Sequence, residues 1–344
     1  MDKTLLISSD KTIRDALELL NYTAKKVLFV VEGSKLQGSI SDGDIRRWIL
    51  KSGDLDAGIE NITNTKPVVL YEEDKRSAYI TMKELGLTAI PVVDEDHNII
   101  NIYSWLADRA DKAALNLPVV IMAGGKGERL KPYTNILPKP LIPIGEKPII
   151  ELIIESFFAY GCRDFYLSIN YKRGMLKAFF DEVKREYSVN YIEEPKPLGT
   201  GGSLYYVKDK IEKTFFVSNC DILLDIDYND VYQYHMEAQN IITIIASVVQ
   251  YSVPYGVVKT DDRGLVTSIE EKPSNDYLVN TGVYIIEPDF LDYIQSEDFI
   301  HITDIIEMCI KDGKKVGTYP VNKDSWMDMG QMEDLENMKK QMEN

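Results

Sequence analysis

The chain has 344 residues, 44% hydrophobic and 27% charged, with a net charge of −16. That length suits two or three cores rather than one, and the acidic balance argues against a nucleic-acid partner, which would want a basic face. The three cysteines and three histidines stand apart in sequence, so zinc sites, CxxC redox chemistry and a Ser-His-Asp triad all lack parts. Any catalysis falls to carboxylates, cations and backbone amides.

The opening residues Met1 to Thr4 lack the basic-then-apolar pattern of a signal peptide, and no apolar run approaches the ~18 residues of a membrane span. A cytoplasmic protein with no membrane partner is the expectation. Residues 1–112 contain an internal repeat of about 62–64 residues. In the first copy a helix over 10–20 precedes a strand over Val27–Val31, a turn at Glu32–Lys35 and a second strand over Leu36–Ile40. In the second copy the helix falls over Ser77–Leu85, the strands over Ala89–Val93 and Ile99–Tyr103. Each copy alone leaves an apolar face open, so the two should pack together. The first copy ends in Ser41-Asp42-Gly43-Asp44-Ile45-Arg46-Arg47.

This repeat resembles a CBS domain pair of α+β type. The resemblance implies that Asp42 contacts the ribose of a regulatory nucleotide. Aligned with it, the second copy has Trp105, so at most one cleft keeps the carboxylate. A module that only packs or dimerises would read the same way, with Asp42 and Asp44 capping the following helix; a homo-oligomer is expected. The pair occupies 1–112 and a linker occupies 113–117.

From residue 118 the pattern changes. Continuous apolar runs at Pro118–Ala123, Asp164–Ile169, Thr214–Val217, Ile241–Val249 and Val279–Ile286 alternate with helical stretches such as 150–160 and 175–186. Such alternation implies an α/β, Rossmann-like domain over 118–344, with a largely parallel sheet and helices on both faces. The first strand runs into Ala123-Gly124-Gly125-Lys126-Gly127-Glu128-Arg129, where glycines let backbone amides approach phosphates. Leu130 breaks the dinucleotide fingerprint, and no Walker loop is present. Prolines on both sides of Lys139 stiffen its segment and restrict where the ammonium points.

These segments, with those that follow, resemble the sugar-1-phosphate nucleotidylyltransferases. The resemblance implies that Arg129 holds the triphosphate and departing pyrophosphate, and that Lys139 meets phosphates at the reacting centre. Glu128 departs from the Thr or Ser common in relatives. Ala123, Gly124, Gly125 and Gly127, with Leu198, Gly199 and Thr200 of the Pro197–Ser203 segment, would bind the nucleotide. Asp221, just beyond a strand end, and Asp328 of Trp326-Met327-Asp328-Met329-Gly330 would hold Mg²⁺, an ion that takes few protein ligands. Gly256, Glu271, Lys272, Asn280 and Thr281 would bind the sugar phosphate.

The implied reaction transfers a nucleoside monophosphate from a nucleoside triphosphate to a sugar 1-phosphate. A CBS pair ahead of such a domain resembles a guanylyltransferase subgroup of surface-glycan pathways, which favours GTP over UTP, CTP, dTTP or ATP. Glucosamine, mannose and heptose 1-phosphates are the candidate acceptors. The rival is a non-catalytic nucleotide or nucleotide-sugar sensor, but such copies usually lose Arg129, Lys139, Asp221 or Asp328, all retained here. No hexapeptide repeat precedes Asn344, so no acyltransferase tail is expected.

Overall fold

The computed structural model describes residues 3–23, 26–72, 78–104, 114–182 and 184–343. Contacts divide the chain into two compact units, Met1–Asp111 with Val249–Tyr277, and Lys112–Val248 with Leu278–Asn344.

In the first unit the sequence repeat becomes a structural one. Strands β1 (Leu6–Ser8), β2 (Val27–Glu32) and β3 (Lys35–Ser41) form one sheet, and β4 (Leu70–Tyr71), β5 (Ala89–Val93) and β6 (Ile99–Ser104) form another. Both sheets pair their first two strands parallel and their last two antiparallel, and both shift register late in the middle strand. Phe29, Val31, Ala89, Val93, Ile99 and Ile102 share one core, so each copy covers the apolar face of the other. Helix Asp42–Leu50 begins with a capping box in which Ser41 and Asp44 satisfy each other's backbone amides. Asp42 pairs with Arg46 one turn on. Trp105 lies outside the described residues.

The second unit is built on a seven-stranded sheet. Its strands are β7 (Val119–Met122), β10 (Asp164–Ile169), β11 (Ser188–Glu193), β12 (Phe215–Asn219), β14 (Ile242–Ser252), β17 (Ser274–Ile286) and β18 (Val316–Asn322), ordered β11-β10-β7-β12-β17-β14-β18. Short pairs β8 (Pro143–Ile144) with β9 (Lys147–Pro148), and β13 (Ile222–Leu224) with β19 (Trp326–Asp328), lie outside it.

Strand β7 is parallel to both neighbours. Its residues alternate between two cores. Val119 and Ile121 join the core of helix Ile149–Phe158, while Val120 joins that of helix Ile302–Lys311. A strand covered by helices on both faces must be apolar throughout, which is what the continuous run at 118–123 signals. Strand β17 departs from the parallel pattern and runs antiparallel to β12. No helix separates it from β14; the chain goes out through the ribbon β15 (Val257–Thr260) and β16 (Val266–Glu270) instead, and a parallel return would need a long crossover.

Residues 249–277, including that ribbon, group by contact with the first unit. Arg14, at the start of helix Ile13–Thr23, pairs there with both Asp56 and Asp276. Among the described residues no helix is long and apolar enough to cross a membrane.

Candidate active site

The parallel pairing of β7 and β12, with Met122 opposite Asn219, brings the loops after both strands to one edge of the sheet. Carboxyl ends of α/β strands are where such sheets bind ligands. A cavity of about 440 Å³ opens there, within the range of small-molecule sites.

Beyond β7, Gly127 takes a left-handed conformation at φ 63° and starts a helical turn carrying Glu128 and Arg129. A side chain on Gly127 would meet Thr134 and Lys139, so the loop lies directly on the lysine segment. A side chain on Gly125 would meet nothing within 4 Å, which leaves its backbone open to the cavity. Gly124, Gly125, Gly127, Arg129 and Lys139 all line the cavity. Ala123 does not: it is buried and donates its N–H to the Ser168 carbonyl at 2.8 Å.

Pro138 and Pro140 are buried on either side of Lys139, and the ammonium pairs with Asp221. Asp221 sits one residue beyond Cys220 at the end of β12. Strand β13 then pairs with β19, setting Ile222 opposite Asp328, and the Met329 N–H donates to the Asp221 carbonyl at 2.9 Å. Two Asp motifs more than a hundred residues apart are thereby clamped side by side. Burial, and after it the charge of Asp221, pushes the Asp328 carboxyl up to about 6 against the pull of Lys139 and the Gly330 N–H. Asp328 Oδ1 is buried with no hydrogen-bond partner.

A buried, unsatisfied carboxylate oxygen beside a second carboxylate fits a hard cation with oxygen ligands. Among the described residues no group of three His, Cys, Asp or Glu could hold a metal, so Asp221 and Asp328 fit an ion that takes its other ligands from phosphates and water. The cysteines offer no alternative chemistry: Cys162, Cys220 and Cys309 are free and buried, and burial pushes the Cys162 and Cys220 thiols up to about 12.

The opposite wall contains Leu198, Gly199 and Thr200. The glycines of this segment, Gly199, Gly201 and Gly202, face another stretch of chain. Side chains there would meet the Ile300 carbonyl at 2.6 Å, the His301 backbone at 2.9 Å and the Asp298 carbonyl at 2.4 Å. The Gly201 and Gly202 N–H groups both donate to Ile300, whose own N–H donates to Leu198. Through this docking Phe299 and His301 reach the cavity rim, and nothing in the sequence signals them.

Glu194, buried in the cavity wall, is a further residue the motifs miss. Its carboxylate accepts from Ser168 Oγ at 2.6 Å and from the Leu198 N–H at 3.3 Å, fixing the turn into Leu198. A side chain on Gly124 would meet that carboxylate at 2.7 Å.

The remaining sequence-predicted residues fall in two places. Gly282 packs so tightly on Asn219, a cavity residue, that a side chain would meet its amide at 2.3 Å. Asn280–Gly282, a stretch of β17 with a left-handed backbone at Gly282 rather than the turn its sequence suggests, is thus held beside the end of β12. Asn280 donates to the Tyr284 hydroxyl at 2.8 Å, and Thr281 donates its hydroxyl to the Ile245 carbonyl at 2.7 Å. Gly256 and Glu271 face each other across the ribbon, 3.0 Å separating a would-be Cβ from the Glu271 carboxylate. Lys272 follows, exposed and with a left-handed backbone.

Residues 118–344 match the nucleotidyl transferase family. The chain belongs to that family. Residues 1–51 match the CBS domain, which covers the first repeat only. Among relatives, a UTP–glucose-1-phosphate uridylyltransferase of Synechocystis sp. is 30% identical over 63% of this chain and 61% of its own length. A mannose-1-phosphate guanyltransferase of Schizosaccharomyces pombe is 32% identical over 63% of this chain and 62% of its own. The chain thus spans about three fifths of the length of the curated relatives it matches. The crystal structure of HddC from Yersinia pseudotuberculosis, also solved with GMP-PN, superposes with a TM-score of 0.51 over 66% of this chain and 99% of that one, at 25–26% identity.

Proposed function

We propose that this nucleotidyl transferase moves a nucleoside monophosphate, GMP in the favoured case, from a nucleoside triphosphate to a sugar 1-phosphate, releasing pyrophosphate. The observation that carries this reading is the clamped pair Asp221–Asp328, with the unpartnered Oδ1 of Asp328, where Asp221 lines one cavity with Lys139 and the glycine loop. The domain spans proposed are a CBS pair over 1–112, a linker over 113–117 and a catalytic domain over 118–344.

The reaction joins two polyanions. An oxygen of the sugar phosphate attacks the α-phosphorus, and the bond to the pyrophosphate oxygen breaks. The attacking oxygen is already ionised at neutral pH, so no general base is needed. Repulsion is then the main obstacle. Arg129 would hold the charge that grows on the departing pyrophosphate, and Lys139 the phosphate under attack. Gly124, Gly125 and Gly127 would place backbone against the phosphates, without Ala123, which is buried with its N–H on the Ser168 carbonyl, and Leu198, Gly199 and Thr200 would wall the base. Lys272 and Glu271 would take the sugar's phosphate and hydroxyls, with Gly256, Asn280 and Thr281 contributing backbone or side-chain contacts.

Asp221 and Asp328 would hold Mg²⁺, which when bound supplies Lewis-acid stabilisation of phosphate charge. GTP is favoured because several relatives are guanyltransferases and a related fold was solved with GMP-PN; the uridylyltransferase relative keeps UTP as the second reading. Mannose, glucosamine and heptose 1-phosphates remain the acceptors to test, as building blocks of surface glycans, in the cytoplasm. The CBS pair would bind a regulatory nucleotide through Asp42, once freed from Arg46, or serve a homo-oligomer.

The test is pyrophosphate release across a matrix of five nucleoside triphosphates and several sugar 1-phosphates with Mg²⁺. Turnover highest with GTP supports the favoured reading, and preference for UTP replaces it. No turnover anywhere, with nucleotide bound in calorimetry, would move the chain to the sensor class.

A further inference from the structure

Lys272 carries a left-handed backbone, φ 47°, and it precedes Pro273. A side-chain-bearing residue resists that conformation, and the residue before a proline is ordinarily extended. Such a backbone persists only where its surroundings over-determine it, and it recurs at functional sites.

Two tethers follow it in the chain. At the next residue the Val253 N–H donates to the Pro273 carbonyl at 2.9 Å. Four residues beyond Lys272 the Asp276 carboxylate accepts from Arg14 Nη2 at 2.9 Å. Arg14 comes from the far end of the sequence, in the amino-terminal repeat. Its Nε donates to Asp56 at 2.8 Å, and its own backbone N–H donates to the Leu55 carbonyl at 2.8 Å. One guanidinium thus bridges the loop at 54–56 and the segment at 273–277. The side chains of Arg14 and Asp276 are only 23% and 25% exposed, and the two carboxylates hold the guanidinium still more firmly protonated. Glu271 and Lys272 therefore lead directly into a segment held by an internal hydrogen bond at Pro273 and by an ion pair from Asp276 to the amino-terminal repeat.

We infer that Arg14 is a positioning residue: through Asp276 it holds the left-handed turn that presents Lys272, so the amino-terminal repeat sets the affinity for the sugar phosphate. This rests on the reading of Lys272 as a phosphate ligand. Arg14 itself touches no substrate. Its effect falls on binding that is equal in ground and transition states, and so on KM rather than kcat.

The experiment uses the full chain with Arg14→Ala, Asp276→Ala, the double variant and Lys272→Ala, in amide hydrogen exchange and in steady-state kinetics with the best acceptor of the matrix above. Exchange at 270–277 is expected to quicken in both single variants. KM for the sugar 1-phosphate should rise about three- to tenfold, with kcat within about twofold. The double variant should be no worse than Arg14→Ala alone, because that variant already removes the bond to Asp276. Unchanged exchange at 270–277 in both variants, or effects that add in the double variant, would overturn the tether. Faster exchange with unaltered KM, while Lys272→Ala raises KM, would overturn the positioning role and leave the site reading intact. A wild-type KM for Lys272→Ala would overturn the site reading, and this inference with it.

Discussion

Lys139 and Asp221 meet as an ion pair whose side chains are 11% and 13% exposed, although 82 positions separate them. A lysine so enclosed has been taken out of water, and its attraction to Asp221 must offset that loss. Asp328 lies beside the pair with an unsatisfied oxygen, so two carboxylates share one ammonium. The cluster is under-neutralised as it stands, and a cation or a substrate phosphate with its ion would complete it.

Asp328→Asn should therefore separate stability from function. The substitution removes a buried charge that burial and Asp221 both disfavour. Thermal unfolding at pH 7 should occur at the same temperature or a higher one, while turnover falls on the order of 10²-fold. A variant that loses stability and keeps its rate would show that Asp328 is a structural residue.

Lys139→Met should fail on both counts. It leaves Asp221 enclosed without its partner, at a cost of about 1–3 kcal/mol, and it lowers kcat on the order of 10²-fold. Adding Asp221→Asn should restore much of the stability and none of the activity. Recovery of turnover in the double variant would mean that Lys139 serves only to balance Asp221.

The framework of this cluster is legible in the sequence because it follows from local rules. An apolar run buried on both faces, glycines after it, prolines around a lysine and an Asp at a strand end are each visible to local physical rules. Their convergence is read from a family resemblance, since no local rule predicts that β13 pairs with β19 and brings Asp328 to Asp221. Glu194 escapes notice because Glu193-Glu194 before Pro195 reads as an ordinary charged strand end. Phe299 and His301 escape because only backbone bonding of Ile300 to Leu198, Gly201 and Gly202 puts them at the rim. The grouping of 249–277 with the amino-terminal unit depends on long-range contacts such as Arg14–Asp276, which periodicity does not encode.

Glu287 gives a pH prediction away from the site. Its carboxylate accepts from Thr214 at 2.7 Å and lies 3.0 Å from His235 Nε2. The His235 contact chiefly, and Thr214 with it, hold its pKa below the usual carboxylate value, against burial. A depressed folded-state pKa contributes stability that is present above the unfolded value, near 4.5, and is lost as pH falls through the lower folded one. Glu287→Gln should then lower the unfolding temperature at pH 7, and the gap to wild type should narrow progressively as pH falls below 4.5. An unfolding gap independent of pH would show that packing, not charge, makes the contribution.

Two glycines of the cavity wall should respond in opposite ways to the same methyl group. Gly199 has φ 76°, and a Cβ there would stand 2.6 Å from the Ile300 carbonyl. Gly199→Ala meets both a left-handed backbone, worth about 1–2 kcal/mol, and a backbone clash that no side-chain rotation relieves. It should lower the unfolding temperature by several degrees and loosen the segment that carries Phe299 and His301. Gly125 has an ordinary backbone, and its Cβ would meet nothing within 4 Å. Gly125→Ala should fold as well as wild type and differ only when nucleotide is added, because the methyl group enters space that phosphates would approach. Calorimetric titration with GTP and UTP should then show affinity reduced about tenfold or more, an amount that one obstructed charge-assisted hydrogen bond can account for. Full nucleotide affinity in Gly125→Ala would place the phosphates elsewhere in the cavity, away from the loop that follows β7.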